Sequence, residues 1–545
     1  MNIDDVLIIL GMGRYQFVYC LLFGLMIMYS NVSPVAYVFT AGDLKYRCVI
    51  PECDPVNPTD RTYEPDWLRF TTPYKADTEL PNKCKRYALR RTGNNGTLCA
   101  PEEFDRSEID KCWGNWVFEE PVNTIGTEFK LMCEENKWKL SMVGSVNNFG
   151  QFIGIPISGI IADRFGRKFA MIFCAATSAA LSIAQSFSIN YTMFWFLELL
   201  SSSISSGIYT VTFVLGMESV LPKKRVIYFS ILECFYPLGA IIVAYIASQA
   251  KDWKLLLRIS NVPGLLFLSY YWLTEESMRW SQTQGHQDNV LKTLKKIAVM
   301  NKKTLPELNL DMQTETSVNH DDGDGGVKYT SILKVIFHSP TITWRMVRCS
   351  FIWVAITLVY YGLTINATDI AGNKYLNFAL ASFVEIPGCL INWLVMEGMT
   401  RKMSLSCMFI LSGAMSVVYN LTPDNLFLVK LSLFMFSKVA ISVAFSIIYI
   451  LTAEIFPTWM RATALSMCSM IGRVGSMLAP QTTLLGEYFG NYMIMLVFGV
   501  VSLIAATITM TLPESKNIKL PDTIDEAEQI GVRDHLTPKN NETSA

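Results

Sequence analysis

The chain has 545 residues, of which 51% are hydrophobic and only 17% are charged. Ordinary soluble domains carry roughly a quarter charged residues, so this composition indicates that lipid surrounds much of the chain. The 46 basic and 47 acidic side chains nearly cancel, which argues against nucleic acid as a partner. The four histidines lie in polar segments, and no nucleotide-binding loop or nucleophile elbow is present. We expect a membrane protein that is not an enzyme and that uses no cofactor or metal.

Twelve apolar runs are each long enough to cross about 30 Å of hydrocarbon as a helix. The first run is longer than the ~7 to 15 apolar residues of a cleaved signal peptide, so we interpret it as a retained helix. The sequence therefore predicts an all-α membrane protein with twelve transmembrane helices. The expected spans are residues 15–40, 141–162, 169–188, 191–216, 226–249, 255–274, 341–364, 374–398, 403–421, 426–452, 459–484 and 488–512.

An internal repeat divides these helices into two sets of six. Three short motifs recur in the same order, after equivalent predicted helices, at offsets of 234, 236 and 238 residues. Parallel six-helix repeats imply two pseudosymmetric halves with a site between them near the middle of the membrane. The pairs are DRFGRK ending at Lys168 and EGMTRK ending at Lys402, ESVLPKKR from Glu218 and EIFPTWMR from Glu454, and EES ending at Ser277 and PES ending at Ser515.

The short basic loops all face the same side if the twelve helices alternate. These loops contain DRFGRK, PKKR and TRK, and the positive-inside rule places them, with both termini, in the cytoplasm. We therefore divide the chain into an N-terminal half (1–274) with an extracellular insertion (42–140), a cytoplasmic linker (275–340), a C-terminal half (341–512) and a cytoplasmic tail (513–545).

The insertion is rich in cysteine. It holds six of the 13 cysteines, whereas the other seven lie in apolar spans. Six cysteines in an extracellular segment predict three disulfides, although they allow 15 pairings and free thiols are the alternative. The same segment contains a glycosylation sequon at Asn95. The six cysteines are Cys48, Cys53, Cys84, Cys99, Cys112 and Cys133.

Several motifs together resemble one transporter family. ADRFGRK, EESMRW, VEIPG, AEIFPTWMRA and LPESKNIKLPDTIDEAE are similar to motifs of the major facilitator superfamily and, within it, of the organic cation, anion and carnitine transporters. Within that family the chain most resembles insect-type organic cation transporter proteins. The resemblance implies a multi-pass plasma-membrane protein that works by alternating access. Its expected partners are a small organic ion and the lipid bilayer, and the oligomeric state stays open.

The charged loop motifs predict gating. Acidic and basic side chains that recur in both halves are suited to ion-pair networks that latch the cytoplasmic ends of helices and break when the inner gate opens. The alternative is that these charges only set topology. The candidate gating residues are Asp163, Arg164, Arg167, Glu218, Arg225, Glu454 and Arg461.

Five ionisable residues lie within apolar spans, namely Glu198, Glu233, Glu385, Lys438 and Arg473. A charge at the centre of a membrane helix costs about 2.5 to 3.5 kcal/mol, so such groups face water, a partner or a substrate. The alternative is mutual pairing that only holds helices together, for example Glu385 with Arg473. The last four are our candidates for substrate binding.

The family resemblance assigns some of these charges. Glu385 matches the acidic position of the cation-transporting branch, and Lys438 matches a basic position of helix 10. Arg473 stands where that branch has an aspartate and looks like the anion and carnitine branches. Glu198 stands where much of the family has arginine, and Glu233 where cation carriers have glutamine.

Aromatic residues complete the predicted binding site. Trp353, Tyr360 and Tyr361 match an aromatic cluster of the family in helix 7, and Tyr236 in helix 5 is a further candidate. Cation–π contacts are worth about 0.5 to 2 kcal/mol each. Aromatic residues in membrane helices also serve as packing or interfacial anchors, so we expect about half of these four to line the pathway.

These features predict a polyspecific carrier of organic cations or zwitterions, driven by the membrane potential. An organic anion or carnitine-type carrier is the first alternative, favoured by Arg473 and Lys438 and opposed by the three glutamates. A non-transporting receptor that retains the same fold is the second alternative.

Overall fold

The computed structural model describes residues 3–74, 81–90, 99–112, 115–221, 224–304, 339–370, 372–423, 425–457, 461–516 and 524–529. Each of the twelve predicted spans falls on one or two helices. Nine helices of this part of the chain are long and apolar enough to cross a membrane. The other three predicted spans are also helical, at Glu134–Phe165, at Trp253–Leu265 with its continuation, and at Arg461–Leu478 with its continuation.

The helices follow the chain in two sets. In the first set are α1 (Ile3–Leu10), α2 (Arg14–Ser30), α3 (Val32–Thr40), α4 (Leu68–Thr71), α5 (Ile125–Glu128), α6 (Glu134–Phe165), α7 (Arg167–Gln185), α8 (Tyr191–Glu218), α9 (Arg225–Glu233), α10 (Phe235–Ala250), α11 (Trp253–Leu265), α12 (Tyr270–Leu273), α13 (Met278–Thr283) and α14 (Gln287–Asn301). In the second set are α15 (Pro340–Asn366), α16 (Lys374–Phe383), α17 (Glu385–Gly398), α18 (Arg401–Leu421), α19 (Phe427–Ile455), α20 (Arg461–Leu478), α21 (Thr482–Phe489), α22 (Asn491–Met510) and α23 (Ile524–Gln529). Short 3-10 turns connect some of them, at Pro58–Asp60, Pro101–Glu103, Leu266–Ser269, Ala367–Asp369 and Ala479–Gln481.

Two spans, one in each half, are interrupted shortly before a proline. The helix of residues 225–250 breaks between α9 and α10, three residues before Pro237, and that of residues 374–398 breaks between α16 and α17, three residues before Pro387. Proline has no N–H, so the carbonyl four residues earlier loses its helical partner and the helix bends. Glu233 and Glu385 lie at these two interruptions.

Small residues bring the helices of each half close together. In the N-terminal half, α6 packs on α8, and a Cβ added at Gly154 would collide with the carbonyl of Ser203. In the C-terminal half, α15 packs on α20, and a Cβ added at Gly475 would collide with the carbonyl of Val354. Such close approach is typical of membrane helices, where small side chains allow van der Waals contact between backbones.

The cysteine-rich insertion forms a small β structure on one end of the bundle, which we call the loop end. It contains β1 (Tyr46–Cys48), β2 (Lys85–Leu89), β3 (Phe104–Lys111) and β4 (Trp116–Phe118). Antiparallel β1 and β4 form one sheet, with Cys48 opposite Trp116, and antiparallel β2 and β3 form another, with a register shift between Tyr87 and Ala88. Asn95 lies outside the described residues.

Three disulfides and one buried ion pair stabilise the insertion. Arg47 and Asp54 make two hydrogen-bonded contacts of 2.8 and 2.7 Å with side chains almost fully buried. The guanidinium also lies 4.9 Å from the centre of the Trp67 ring. All six predicted cysteines are paired, as Cys48 with Cys112, Cys53 with Cys99 and Cys84 with Cys133.

The two halves contact each other at the loop end. Ser145 of α6 donates to the carbonyl of Met477 at 2.7 Å and accepts from Gln481 at 2.9 Å. Farther along the same seam, the hydroxyls of Ser141 and Thr483 lie 3.2 Å apart. These contacts close the loop end between α6 and the helix of residues 461–489.

Candidate functional site

A polar cluster of the N-terminal half lies at the opposite end of the bundle, which we call the linker end. Arg167 contacts Asp163 at 3.0 Å and Glu218 at 3.7 Å, and the Ser277 hydroxyl donates to Glu218. The carboxylate of Glu276 accepts from the first two backbone N–H groups of α7, at 2.9 and 3.1 Å. A carboxylate is stabilised at this position because a helix N-terminus carries partial positive charge.

The C-terminal half builds a corresponding cluster. Arg401 contacts Glu454 at 3.4 Å, and the Ser515 hydroxyl donates to Glu454 at 2.7 Å. The carboxylate of Glu514 accepts from the first two backbone N–H groups of α18, at 2.7 and 3.3 Å. The repeated sequence motifs therefore fold into equivalent groups of contacts, each between one half and the segment that directly follows it in the chain.

The two glutamates at the helix N-termini differ in acidity. Burial raises the pKa of the Glu276 carboxyl above its usual value, although the N–H groups bound to it favour the charged form. Burial also opposes ionisation of Glu514. Additional hydrogen bonds, from the backbone of Lys516 and the hydroxyl of Thr400 among others, nevertheless hold the pKa of the Glu514 carboxyl below its usual value.

Four of the seven candidate gating residues lie in these clusters, namely Asp163, Arg167, Glu218 and Glu454. Arg164 is exposed, with its guanidinium 5.6 Å from the centre of the Phe165 ring. The side chains of Arg225 and Arg461 lie outside the described residues.

Five members of the clusters were not among the candidates. The recurrence of EES as PES and of DRFGRK as EGMTRK was the signal that contained them, because these motifs hold every missing residue. The missing residues are Glu276, Ser277, Arg401, Glu514 and Ser515.

In the middle of the bundle, Glu385 is paired with Lys438 rather than with Arg473. The ammonium lies 2.8 Å from one carboxylate oxygen, and the Tyr360 hydroxyl donates to the other at 2.9 Å. Lys438 is fully buried, donates to Thr364 at 2.6 Å and lies 3.4 Å from the centre of the Tyr360 ring. The charge of Glu385 is therefore compensated within the C-terminal half.

Glu233 contributes a carboxylate from the N-terminal half. Its side chain forms a hydrogen bond with Ser446 of α19 and lies within electrostatic range of Glu385. Tyr209 and Tyr449 lie close enough to interact with its charge. One carboxylate from each half thus approaches the interface, at the two interrupted helices.

Arg473 reaches from the C-terminal half to the N-terminal half. Its guanidinium donates to the Tyr361 hydroxyl and to Gln151 of α6, both at 3.1 Å. Gln151 donates to Asn147 at 2.8 Å, and Asn147 donates to the buried Glu198 at 2.7 Å. A continuous series of hydrogen bonds therefore joins Arg473 to Glu198.

Three of the four predicted aromatic residues border a cavity between the halves. Tyr236, Tyr360 and Tyr361 line it together with Glu385, and its volume of about 20 Å³ has room for little more than a water molecule. Trp353 is instead buried in the C-terminal half, where its indole N–H donates to Thr452 at 3.1 Å. Its role in this arrangement is packing between α15 and α19.

The site combines two carboxylates, an ammonium, a guanidinium and several phenol rings within a membrane-embedded interface. Such a mixture suits reversible binding of an organic ion. Among the residues described, no group of three or more His, Cys, Asp or Glu side chains has an arrangement suited to a metal ion.

Full-length relatives have similar sequences. Solute carrier family 22 member 21 of Mus musculus is 29% identical over 540 residues, which cover 97% of this chain and 94% of that protein. Organic cation/carnitine transporter 2 of Homo sapiens is 29% identical over 548 residues, which cover 98% and 96% of the two chains. These relatives confirm the resemblance that the motifs indicated. Both are mammalian, so the similarity to insect-type members stays a prediction.

Solved structures share the fold. A partially occluded inward-open structure of the xylose transporter XylE from E. coli has a TM-score of 0.59 at 15% identity, covering 93% of this chain and all of XylE. XylE is a major facilitator superfamily protein, so the predicted all-α fold with two six-helix halves is confirmed. The family profile described as sugar (and other) transporter matches residues 115–526, more than half of the chain. The chain therefore belongs to the sugar (and other) transporter family of membrane transporters.

Proposed function

We propose that this membrane transporter carries small organic cations and zwitterions between the two faces of the plasma membrane by alternating access. The observation that carries the proposal is the placement of charge in the middle of the bundle. Lys438 compensates Glu385 at 2.8 Å, whereas Glu233 has a neutral hydroxyl partner in Ser446. Among the described residues Glu233 is therefore the interface carboxyl without a basic partner, and a substrate cation that approaches it can supply the counter-charge.

The magnitude of this interaction is sufficient for selectivity. A cation 4 Å from a carboxylate gains about 4 kcal/mol at an effective dielectric of 20, enough to discriminate against a neutral analogue. Tyrosine rings near Glu233 and around the cavity add cation–π attraction without demanding one ligand shape. Broad specificity follows from walls of this kind.

Contacts between the halves support alternating access. The seam from Ser141 to Gln481 closes the loop end, and each linker-end cluster joins one half only to the segment that directly follows it. This is the arrangement expected of a carrier that is closed on one side and can separate on the other. Disulfides in the insertion and basic loops at the linker end support an extracellular loop end and cytoplasmic termini.

The membrane potential is the driving force we propose for cations. A potential of 100 mV is worth about 2.3 kcal/mol per charge, which sustains roughly 50-fold accumulation of a monovalent cation without a coupled ion. Arg473 favours zwitterions as additional substrates, because its guanidinium at the interface is suited to binding a carboxylate through two hydrogen bonds.

Voltage-clamped cells that express the protein test this proposal. Tetraethylammonium is expected to produce an inward current that grows with negative potential, and Glu233→Gln is expected to reduce its uptake by at least about tenfold. Glu108→Gln, an exposed site in the insertion, is the matched control and should transport normally. Saturable uptake of an aromatic carboxylate with no cation current would contradict the proposal and favour an organic anion carrier.

A further inference from the structure

In the series of hydrogen bonds that joins Arg473 to Glu198 through Gln151 and Asn147, every donor points away from Arg473 and toward Glu198. A guanidinium has only donors, so the oxygen of Gln151 must face Arg473 and its NH₂ group must face Asn147. Asn147 then offers its oxygen to Gln151 and its NH₂ group to Glu198, at 2.7 Å. The series therefore begins at a positive charge and ends with a donor directed at a carboxylate.

Glu198 is a buried carboxylate without a basic neighbour in this series. Only 7% of the residue is exposed, and its second oxygen accepts from the amide of Gln185 at 2.6 Å. Both hydrogen-bond partners found for it among the described residues are neutral amides. A buried charge is tolerated when it is hydrogen-bonded and balanced by an opposite charge. The aligned dipoles of the two amides, which we call the relay, favour a positive charge at Arg473 together with a negative charge at Glu198.

Helix packing holds the relay in place. Gly150 and Gly154 allow α6 to lie against the serines of α8, because a Cβ at either glycine would collide with that helix. Asn147 and Gln151 are one helical turn apart on α6, so both amides face the partner helices at once. The relay thus spans two halves through three tightly packed helices.

We propose that Glu198 is the counter-charge of Arg473 and determines the charge selectivity of the transport site from a distance. The inference rests on the proposed function and deepens it. While Glu198 is ionised, it balances the charge of Arg473, so carboxylate ligands gain less from that guanidinium and cations are preferred. Without the charge of Glu198, Arg473 is unbalanced and the same site binds carboxylate ligands more tightly.

Binding to the purified full-length protein in lipid nanodiscs tests this role. The probes are phenyltrimethylammonium and benzoate, which have similar aromatic parts and opposite charge. Unit charges roughly 10 Å apart at an effective dielectric of 20 correspond to about a tenfold change in affinity. We expect Glu198→Gln to raise the ratio of benzoate affinity to phenyltrimethylammonium affinity about tenfold, and Glu198→Asp to restore the wild-type ratio.

A double-mutant cycle separates selectivity from packing damage. In an Arg473→Gln background, Glu198→Gln is expected to leave the affinity ratio unchanged, because the charge it balances is gone. If Glu198→Gln does not fold, Gln151→Met replaces it. This variant interrupts the relay while both charges remain, so it should shift the ratio in the same direction but by a smaller factor, because the direct attraction of the two charges persists.

The outcomes distinguish the inference from the proposed function. An affinity ratio unchanged by Glu198→Gln, or a shift that persists in the Arg473→Gln background, would overturn the inference even if the wild type carries tetraethylammonium current. A wild type without cation current in which Glu198→Gln still strengthens benzoate binding would overturn the proposed function and support the inference.

Discussion

The two halves are alike at the linker end and unlike in the middle of the bundle. At the linker end, Arg167 with Glu218 and Arg401 with Glu454 form corresponding contacts at 3.7 and 3.4 Å. In the middle, the ion pair of Lys438 with Glu385 and the guanidinium of Arg473 both come from the C-terminal half. The N-terminal half contributes carboxylates and amides there instead.

This difference separates two tasks. Opening and closing require comparable movements of both halves, so equivalent clusters suit the ends. A substrate is itself asymmetric, so its recognition needs different groups on its two sides. Even the ends have diverged slightly: α7 follows Gly166 with φ of +102°, whereas α18 follows Thr400 in an extended conformation. A side chain at position 166 would also collide with the Glu276 carboxylate.

The largest expected effect is a loss of stability when the ion pair in the middle of the bundle is broken. Glu385→Gln leaves the fully buried Lys438 without its counter-charge, and breaking a buried pair on one side costs about 3 to 5 kcal/mol. We expect a lower free energy of unfolding by this amount, measured by unfolding in detergent. The double variant Glu385→Gln/Lys438→Met should recover much of the loss. Equal stability of the wild type and the single variant would show that Lys438 is compensated elsewhere.

A smaller effect is expected from the matched arginines at the linker end. Arg167→Gln removes the contacts with Glu218 and with the exposed Asp163, and Arg401→Gln removes the contact with Glu454. Each change is worth about 1 kcal/mol, or about fivefold in the population of the state that the contacts stabilise. Initial rates of tetraethylammonium uptake should fall by similar factors. If one variant abolishes uptake while the other leaves the uptake rate unchanged, the two clusters are not functionally equivalent.

The smallest expected effect is on how the stability of the protein depends on pH. The pKa of Glu276 is raised in the folded protein, so protonation of Glu276 adds stability as pH falls through that pKa. The pKa of Glu514 is lowered, so its contribution is present above the usual pKa of a glutamate and is lost as pH falls toward the lowered value. Melting temperatures of Glu276→Gln and Glu514→Gln across this range should therefore deviate from the wild type in opposite directions. Parallel deviations would contradict the assigned pKa shifts.

The sequence predicts the spans and the repeat because apolar length and recurring motifs are local properties of the chain. It also places six cysteines in one segment, but their pairing depends on how β1 to β4 bring distant residues together. Cys48 and Cys112, for example, are 64 residues apart. Spacing alone does not distinguish this pairing from the others.

The central site was predictable as a set of residues but not as a set of contacts. Glu385 and Lys438 stand out as charges in apolar spans, yet their pairing depends on the relative rotation of α17 and α19, which hydropathy does not specify. Trp353 matched an aromatic pattern, but its indole faces Thr452 inside one half. Neutral Gln151 and Asn147 gave no signal, because amides do not stand out as charges do.

The prolines at positions 237 and 387 have a mechanical consequence. Each leaves one backbone carbonyl without a helical donor beside a carboxylate, at Glu233 in one half and Glu385 in the other. Further flexing at these joints breaks no additional backbone bond, because the bond is already missing. Each joint therefore lies in the same short segment as a carboxyl group proposed for ligand binding, so we expect a change in helix curvature there to move that carboxyl relative to the other.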